Sequence, residues 1–289
     1  MALILVAWIV KARQDPPPAN VEFTPNIVYR EVGGETLHLD LARPRYAEGP
    51  APCVVFIHGG GWRAGSRREY REGLFGSASQ GIAAVSIQYR FAPRNTFPSQ
   101  LDDVKSAVRF VREHAGKWKI DPDRIAVMGG SAGAHLALLL ATTADEDPVD
   151  SPGSTTVKAA VSFAGPTDLT RTFPDASRFM VEDLLGPGGK ADVAARRSAS
   201  PIHHLNAGDP PVLLIHGTKD ELVPYDQATE FARACKEAGV EAELLTIEGG
   251  GHGGGDPEAW KQAILRSFGF LREHLGMAPI PGTGPHNAP

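Results

Sequence analysis

Along the chain, hydrophobic and polar positions follow two alternating patterns from residue 26 onward. Short apolar runs, typical of buried parallel strands, are separated by stretches in which apolar residues recur every three or four positions, typical of amphipathic helices. The predicted strands are 26–32, 36–41, 53–57, 82–87, 124–128, 157–163, 212–215 and 242–247, and the predicted helices are 70–80, 100–114, 132–143, 228–238 and 256–275. This alternation predicts an α/β fold with a mostly parallel central sheet of about eight strands flanked by helices.

Turn-forming residues indicate one domain with a short segment at each end. Gly33 and Gly34 join the first two predicted strands, which alternate in hydrophobicity and are therefore expected to form a β-hairpin. We expect the domain to cover 26–276 and the Pro- and Gly-rich residues 277–289 to form a flexible tail. The stretch 167–206 is less regular and rich in Gly, Pro and Arg, so we expect it to form a small lid over the strand ends.

Residues 1–25 are predicted to form an N-terminal extension with features of a secretion signal. Residues 2–10 are apolar, a length that fits the core of a signal peptide and is too short to span a bilayer. Residues 10–12 offer a small-residue cleavage site, although a positively charged start is missing. The interpretation is a secreted or periplasmic protein, and a docked extension of a cytoplasmic protein is the alternative.

Composition and charge narrow the classes of partner. Of the 289 residues 42% are hydrophobic and 22% are charged, as in soluble globular domains, and the formal net charge is −5. No run of Lys and Arg interleaved with aromatic residues is present, which argues against nucleic acid as a partner. Cys53 and Cys235 belong to no metal-ligand spacing, so we expect no metal site. The oligomeric state stays open.

Ser131 is the candidate nucleophile. It lies in the stretch GGSAG at 129–133, which matches the Gly-x-Ser-x-Gly pattern of the nucleophile elbow. Such an elbow needs a strand before the serine, a helix after it and small neighbours that tolerate a strained turn, and the sequence supplies all three. Backbone N–H groups at the start of the following helix can stabilise developing negative charge. The alternative is an ordinary helix N-cap, where serine is also favoured.

A glycine-rich loop after the third predicted strand is the candidate oxyanion hole. The sequence HGGGW, beginning at His58, has the form found in lipases and esterases, whose glycines let the backbone approach a reacting carbonyl group. Gly60 and Gly61 are expected to offer N–H groups, with the N–H of Ala132 as a further donor. His58 is expected to hold the loop by hydrogen bonds. Trp62 is a candidate substrate-binding residue in the wall of the acyl pocket, with core packing as the alternative.

His252 and Asp220 are the candidate general base and its acidic partner. In α/β-hydrolases the order along the chain is serine, acid, histidine. Asp220 lies just past the seventh predicted strand and His252 lies in a glycine-rich loop past the eighth, so both follow the carboxyl ends of strands. Asp168 and Glu221 are the competing acids. The competing bases are the histidines that precede or adjoin the acid, His203, His204 and His216.

Taken together, these motifs resemble the carboxylesterase and lipase group of the α/β-hydrolase fold with HGGG loops. The resemblance is strongest to the acetyl-esterase and feruloyl-esterase branch called BD-FAE, and it covers roughly residues 28–275. It implies a triad of Ser, His and Asp or Glu, no cofactor, and acyl groups carried on sugars or polysaccharides. The motifs that carry it are HGGGW (58–62), SIQYRFAP (86–93), FPSQLDDVKSAVRFVREHA (97–115), DPDRIAVMGGSAGAHLALLLA (121–141), HGTKDELVP (216–224) and GGGH (249–252).

Three functions remain as hypotheses. The leading one is a serine esterase that cleaves short-chain acyl or hydroxycinnamoyl esters, such as those of acetylated or feruloylated hemicellulose. The second is an amidase, because HGGxW loops also occur in hydrolases that resemble kynurenine formamidase. The third is a catalytically silent relative that binds a small ligand. That hypothesis requires a lesion in the triad or the oxyanion loop, and the sequence shows none.

Overall fold

Eight strands form one sheet at the centre of the computed structural model, which describes residues 16–144, 153–189 and 192–279. The strands are β1 (Val21–Val32), β2 (Glu35–Pro44), β3 (Ala51–Ile57), β4 (Ala83–Ile87), β5 (Ile120–Gly130), β6 (Ala160–Phe163), β7 (Val212–Gly217) and β8 (Ala242–Ile247). The α-helices are α1 (Arg71–Ser79), α2 (Ser99–Glu113), α3 (Ala115–Trp118), α4 (Ala132–Thr142), α5 (Asp175–Gly189), α6 (Val193–Ser198), α7 (Asp226–Ala238) and α8 (Pro257–His274). Short 3-10 helices lie at Arg67–Tyr70 and Pro201–His203. The predicted α/β fold is confirmed.

The strand order of the sheet is β1-β2-β4-β3-β5-β6-β7-β8. All neighbours from β4 to β8 along this order are parallel, whereas β2 runs antiparallel to both β1 and β4. Parallel strands end at the same edge of a sheet, so the loops that follow β3, β5, β7 and β8 converge there. These four loops carry the predicted site residues.

Helices cover both faces of the sheet, which explains why the parallel strands are uninterrupted apolar runs. All seven residues of β3 are buried, and they enter two separate cores in alternation. Val55 lies in the core that includes side chains of α2, α4 and α7, and Phe56 lies in the core that includes side chains of α1 and α8. All eleven residues of α4 are buried, as expected for a helix that is apolar on every side.

The sheet begins earlier in the chain than the sequence predicted. β1 starts at Val21, inside the segment 1–25 that was predicted to be an extension, and Val21 pairs with the last residue of β2. Residues 24–26 are exposed on this edge strand, and the pairing with β2 shifts register there. The apolar alternation that predicts a strand is therefore lost at these positions. The predicted domain boundary at residue 26 lies within β1.

The two ends of the chain are described only in part. Residues 1–15, with the signal-like stretch, and residues 280–289 lie outside the described residues. At the start of the predicted tail, the N–H of Met277 donates to the carbonyl of Arg272 at 2.8 Å, and the guanidinium of Arg272 donates to the carbonyl of Ala278 at 2.7 Å. These first tail residues are thus attached to the end of α8. In the described ranges, no helix combines the length and apolar character needed to cross a membrane.

The predicted lid region 167–206 contains more regular structure than the sequence indicated. It includes α5, α6 and the second 3-10 helix. The helical backbone of α5 is interrupted at Gly186, whose φ of 72° lies in the left-handed region, and Pro187 follows directly. A Gly-Pro step is a strong turn signal in a sequence, so it obscured the helical spacing on either side.

Two glycines let α4 cross the sheet at very short distance. A Cβ atom on Gly133 would lie 2.0 Å from the carbonyl oxygen of Ile57 in β3. A Cβ atom on Gly129 would lie 2.4 Å from the backbone of Gly133 itself. Side chains at these positions would force the helix away from the strands. The crossing therefore places the amino end of α4 directly against the carboxyl ends of β3 and β5.

We predict that Gly133→Ala lowers the free energy of unfolding by about 3 kcal/mol, because the added methyl group overlaps the backbone of β3. Gly76→Ala in α1 is the matched control, since no atom lies within 4 Å of a Cβ added there. Alanine is favoured over glycine in a helix by about 1 kcal/mol, so the control is expected to be stabilised. Urea denaturation measures both changes, and equal stability of the two variants would contradict the close crossing.

Candidate active site

Ser131 occupies the turn between β5 and α4. Its φ of 54° and ψ of −120° lie outside the regions that residues with side chains ordinarily adopt, and such a conformation costs about 1–3 kcal/mol. The N–H of Ser131 donates to the carbonyl of Phe163 at the end of β6, at 2.7 Å. The strand, the helix and the small neighbours expected of a nucleophile elbow are all present. The serine hydroxyl stands at the edge of the sheet where the loops converge.

The structure brings Ser131, His252 and Asp220 together in one hydrogen-bonded chain. The distance from His252 Nε2 to Ser131 Oγ is 2.8 Å, and the distance from His252 Nδ1 to Asp220 Oδ2 is 2.7 Å. The imidazole side chain is 10% exposed and the carboxylate is fully buried. These three side chains come from the loops after β5, β7 and β8, as the order along the chain predicted.

Asp220 is held as a carboxylate by four hydrogen-bond donors. Oδ1 accepts from the N–H groups of Leu222 and Val223, each at 2.9 Å. Oδ2 lies 2.7 Å from His252 Nδ1 and 3.2 Å from His216 Nε2. Burial raises the pKa of Asp220, but the hydrogen bonds from His216, His252 and Val223 outweigh it and hold the pKa well below its ordinary value. The acid therefore carries its charge without exposure to solvent.

The competing acids and bases either lie away from His252 or, in the case of His216, contact the carboxylate of Asp220. Asp168 Oδ1 accepts from the backbone and hydroxyl groups of Thr170 and lies 3.6 Å from His203 Nε2. His204 Nε2 lies 3.0 Å from the carbonyl of Ser198. Within the described part of the chain, neither Asp168 nor Glu221 contacts His252 by a hydrogen bond. His216, four residues before Asp220, is the partner of the acid that the sequence did not identify, because it was considered only as a rival base.

The glycine-rich loop after β3 presents free backbone donors. Gly60 and Gly61 have φ of 108° and 60°, and a Cβ on Gly60 would lie 2.2 Å from the carbonyl oxygen of Ala64. The carbonyl of Gly60 accepts from the N–H groups of Arg63 and Ala64, each at 3.1 Å, which closes the loop into a tight turn. Among the described residues, no acceptor is bonded to the N–H of Gly60, Gly61 or Ala132. These three groups remain the candidate oxyanion donors.

His58 is a neutral, buried ring at the base of this loop. Its Nδ1 lies 2.8 Å from the carbonyl of Gly59, and the ring stacks on Tyr89 with a centroid distance of 4.4 Å. The hydroxyl of Tyr89 donates to the carbonyl of His58 at 2.9 Å. Burial lowers the pKa of His58 to about 4. These contacts are those of a residue that supports the loop, as the sequence predicted.

The position of Trp62 differs from the predicted substrate-binding position. Its side chain was expected to line the acyl pocket, but Trp62 is 3% exposed and belongs to the core that includes α4. The indole Nε1–H donates to Nδ1 of His135 at 3.2 Å. Core packing, the alternative considered for this residue, is what the structure shows. His135 was not among the predicted site residues, because its only signal in the sequence is a polar residue inside the apolar run of α4.

α5 lies against the glycine-rich loop and covers part of it. A Cβ on Gly61 would lie 2.4 Å from Sδ of Met180, so the methionine side chain rests directly on this glycine. Arg63 Nε lies 2.8 Å from a carboxylate oxygen of Asp183, and the guanidinium of Arg63 stands 5.0 Å from the ring centroid of Phe179. Phe179 is 43% exposed. α5 therefore places apolar and charged side chains beside the candidate oxyanion loop.

Among the residues that the structure describes, no group of three or more His, Cys, Asp or Glu side chains is arranged to hold a metal ion. The reactive groups are instead a hydroxyl, an imidazole, a carboxylate and backbone N–H groups. That combination is the one used for acyl transfer through a covalent serine intermediate.

Comparison with known proteins gives concordant matches. Residues 39–235 match the BD-FAE protein family. The probable carboxylic ester hydrolase LipM of Mycobacterium tuberculosis is 38% identical over 235 residues, which cover 76% of this chain and 54% of LipM. The chain thus spans about half the length of the curated relatives that it matches.

Solved structures resemble almost the whole chain. A thermophilic esterase of the planctomycete Thermogutta terrifontis, esterase 2, has a TM-score of 0.75 and 31% sequence identity, with 93% of this chain and 97% of that chain covered. The same esterase has been solved phosphorylated by paraoxon, again with a TM-score of 0.75, 31% identity, and coverage of 91% and 97%. Paraoxon is an organophosphate, a class of compound that modifies activated serine residues.

We predict that acid destabilises this protein through its buried histidines. Burial lowers the pKa of His58 and of His135 from 6.5 to about 4, so the unfolded chain binds more protons than the folded one between these values. The free energy of unfolding is therefore expected to fall as the pH decreases through this window, by about 2 kcal/mol per histidine at about pH 5. Urea denaturation across the window measures the decline.

The matched variant for this prediction is His58→Asn. Asparagine can keep a donor for the carbonyl of Gly59 but does not titrate, so the stability of the variant is expected to depend less steeply on pH. A decline of equal slope in the wild type and the variant would show that His58 is not the group responsible.

Proposed function

The chain belongs to the BD-FAE family of α/β-hydrolases, and from that premise we propose that it hydrolyses carboxylic esters with Ser131 as the nucleophile. The observation that carries this proposal is the hydrogen-bonded chain in which His252 lies 2.8 Å from Ser131 Oγ and 2.7 Å from Asp220. A serine hydroxyl is a weak nucleophile until an adjacent base can accept its proton. The contact between His252 and Ser131 supplies that base.

In the proposed mechanism, Ser131 Oγ attacks the acyl carbon of the ester while His252 Nε2 accepts the hydroxyl proton. The tetrahedral intermediate expels the alcohol, which takes this proton from His252, and the acyl group stays on Ser131. A water molecule, deprotonated by His252, then attacks the acyl carbon. The second tetrahedral intermediate breaks its bond to Ser131 Oγ, which takes the proton from His252 as the carboxylic acid is released. Asp220 stays ionised throughout and stabilises the imidazolium form of His252, because its own pKa is held well below the ordinary value.

The oxyanion of each tetrahedral intermediate is assigned to the N–H groups of Gly60, Gly61 and Ala132. All three donors lack a protein acceptor among the described residues, so they are free to bind a developing charge. Loss of one such donor typically slows turnover by about 10²–10³-fold. Both glycines have positive φ, a conformation that strains residues with a side chain, so the form of this loop depends on glycine at these two positions.

For the substrate we propose esters of acetyl or other short acyl groups, or of hydroxycinnamic acids, carried on hemicellulose. Support comes from the motifs shared with the acetyl-esterase and feruloyl-esterase branch. The contact of Met180 with Gly61 also favours a compact acyl group, since it fills space beside the candidate oxyanion loop. A secreted or periplasmic location, suggested by the signal-like stretch at residues 2–10, would give access to such a polysaccharide.

We predict that Ser131→Ala and His252→Ala each lower kcat by about 10⁴-fold or more, since the two groups act as one unit. Asp220→Asn is expected to lower kcat by about 10³–10⁴-fold, because an amide favours the wrong tautomer of His252. Hydrolysis of p-nitrophenyl acetate measures turnover, and thermal denaturation checks that each variant is folded.

Asp168→Asn is the matched control for the acid, since Asp168 contacts Thr170 and approaches His203 rather than the base. It is expected to keep wild-type turnover. An inactive Asp168→Asn together with an active Asp220→Asn would show that the acid was assigned wrongly. A wild-type protein that is folded but not labelled by a fluorophosphonate probe at Ser131 would favour the silent, ligand-binding relative.

We also predict a substrate order. Turnover is expected on p-nitrophenyl acetate, on acetylated xylan and on methyl ferulate, and it is expected to be much weaker on formylkynurenine. A panel of these four compounds, with kcat/KM determined for each, measures the order. Activity confined to the formyl amide would refute the esterase proposal in favour of an amidase.

A further inference from the structure

His135 is a fully buried histidine in the first turn of α4, and the mechanism above makes no use of it. Its Nε2 lies 2.7 Å from the carbonyl oxygen of Ala199, and its Nδ1 lies 3.2 Å from Nε1 of Trp62. The three residues are buried to the same degree, with 0%, 0% and 3% exposure for His135, Ala199 and Trp62. They form a hydrogen-bond relay that solvent does not reach.

The chemistry of the two partners determines the tautomer of this ring. A carbonyl oxygen can only accept, so Nε2 carries the proton and donates to Ala199. An indole N–H can only donate, so Nδ1 is unprotonated and accepts from Trp62. Burial lowers the pKa of His135 to about 4, which keeps the ring neutral near neutral pH. One tautomer satisfies both contacts.

The relay ends on the loop that carries the candidate oxyanion donors. Trp62 directly follows Gly61 and has a φ of 59°, a left-handed conformation that is rare for a bulky residue. Its carbonyl accepts from the N–H of Ala92 at 2.9 Å, which holds the backbone, while the indole N–H holds the side chain on His135. Two anchors at one residue restrict rotation of the peptide groups beside it.

The backbone of His135 is also hydrogen-bonded to Ser131, the candidate nucleophile. The N–H of His135 donates to the carbonyl of Ser131 at 3.0 Å, so both residues lie on the same helical turn. We propose that His135 is a positioning residue. It accepts a hydrogen bond from the indole N–H of Trp62 and thereby fixes the position of the Gly60 and Gly61 N–H donors relative to Ser131. This role rests on the proposed esterase function. The bond to Ala199 serves it by keeping Nδ1 free of a proton.

Two substitutions of His135 separate this role from simple packing. In His135→Asn the side-chain amide reaches the place of Nδ1 and keeps an acceptor for Trp62. In His135→Gln the amide reaches the place of Nε2, keeps a donor for Ala199 and loses the bond to Trp62. Trp62→Phe removes the same bond from its other end. Trp118→Phe is the control, since Trp118 is 8% exposed in the same core and lies in α3, away from the candidate site.

The measurement is kcat and KM on p-nitrophenyl acetate, with active sites titrated by a fluorophosphonate so that kcat refers to competent enzyme. Inhibition by a trifluoromethyl ketone, whose adduct with serine places an anionic oxygen in the hole, is measured beside it. We expect His135→Gln and Trp62→Phe each to lower kcat by about 10- to 100-fold and to weaken the inhibitor in proportion. KM is expected to stay within about twofold, because the lost contact acts mainly in the transition state.

His135→Asn and Trp118→Phe are expected to keep most of the wild-type kcat. The double variant that combines Trp62→Phe with His135→Gln is expected to have a kcat no lower than that of the slower single variant. Wild-type kcat per titrated site in His135→Gln, with only the melting temperature lowered, would overturn the positioning role. Equal loss in His135→Asn and His135→Gln would also overturn it, since the acceptor would then be irrelevant. A wild-type enzyme that does not turn over the ester would instead refute the proposed function, and the positioning role with it.

Discussion

Ser131 adopts a backbone conformation that costs free energy, and the rest of the site is arranged around the contacts that enforce it. The chain must leave β5 and enter α4 within one residue, and the glycines at 129 and 133 bring the helix against the strands so closely that no wider turn fits. The N–H of Ser131 is bound to the end of β6, which fixes the turn from the other side. Because of this turn, the hydroxyl lies at the sheet edge where the neighbouring loops bring the candidate base, His252, its acidic partner, Asp220, and the candidate oxyanion donors.

Burial has opposite consequences for the ionisable groups around this turn. Asp220 is fully buried yet stays charged, because backbone and imidazole donors surround its carboxylate. His58 and His135 are as deeply buried, and no carboxylate of the described residues lies beside them, so burial keeps both rings neutral. The negative charge of the site is therefore concentrated on the acid that faces His252. The neutral rings serve as hydrogen-bonding supports for the loop after β3.

The first turn of α4 connects three parts of the site. It begins directly after Ser131, the candidate nucleophile, and carries His135, whose ring accepts from Trp62 and donates to the carbonyl of Ala199 at the end of α6. α5 approaches the same loop from outside through Met180, which contacts Gly61, and Asp183, which pairs with Arg63. The triad and the oxyanion loop thus rest on rigid elements of the sheet and its helices, as precise placement of reactive groups requires. The side chains that α5 adds lie beside the oxyanion loop, outside the triad itself.

Patterns confined to short stretches of sequence were enough to predict the parallel sheet, the elbow at Ser131, the loop at Gly60 and Gly61, and the order of Asp220 and His252. Each of these features depends either on the local backbone conformation or on strand ends that meet at one edge of the sheet. Glycine spacing indicates the first in the sequence, and apolar runs indicate the second. The start of β1 was missed because its edge position relaxes the apolar alternation. The partners of Trp62, His135 and His216 were decided only by the tertiary structure. Trp62 and His135 lie 73 residues apart in the chain, and a buried polar side chain reveals nothing in sequence about the donor or acceptor that folding brings to it.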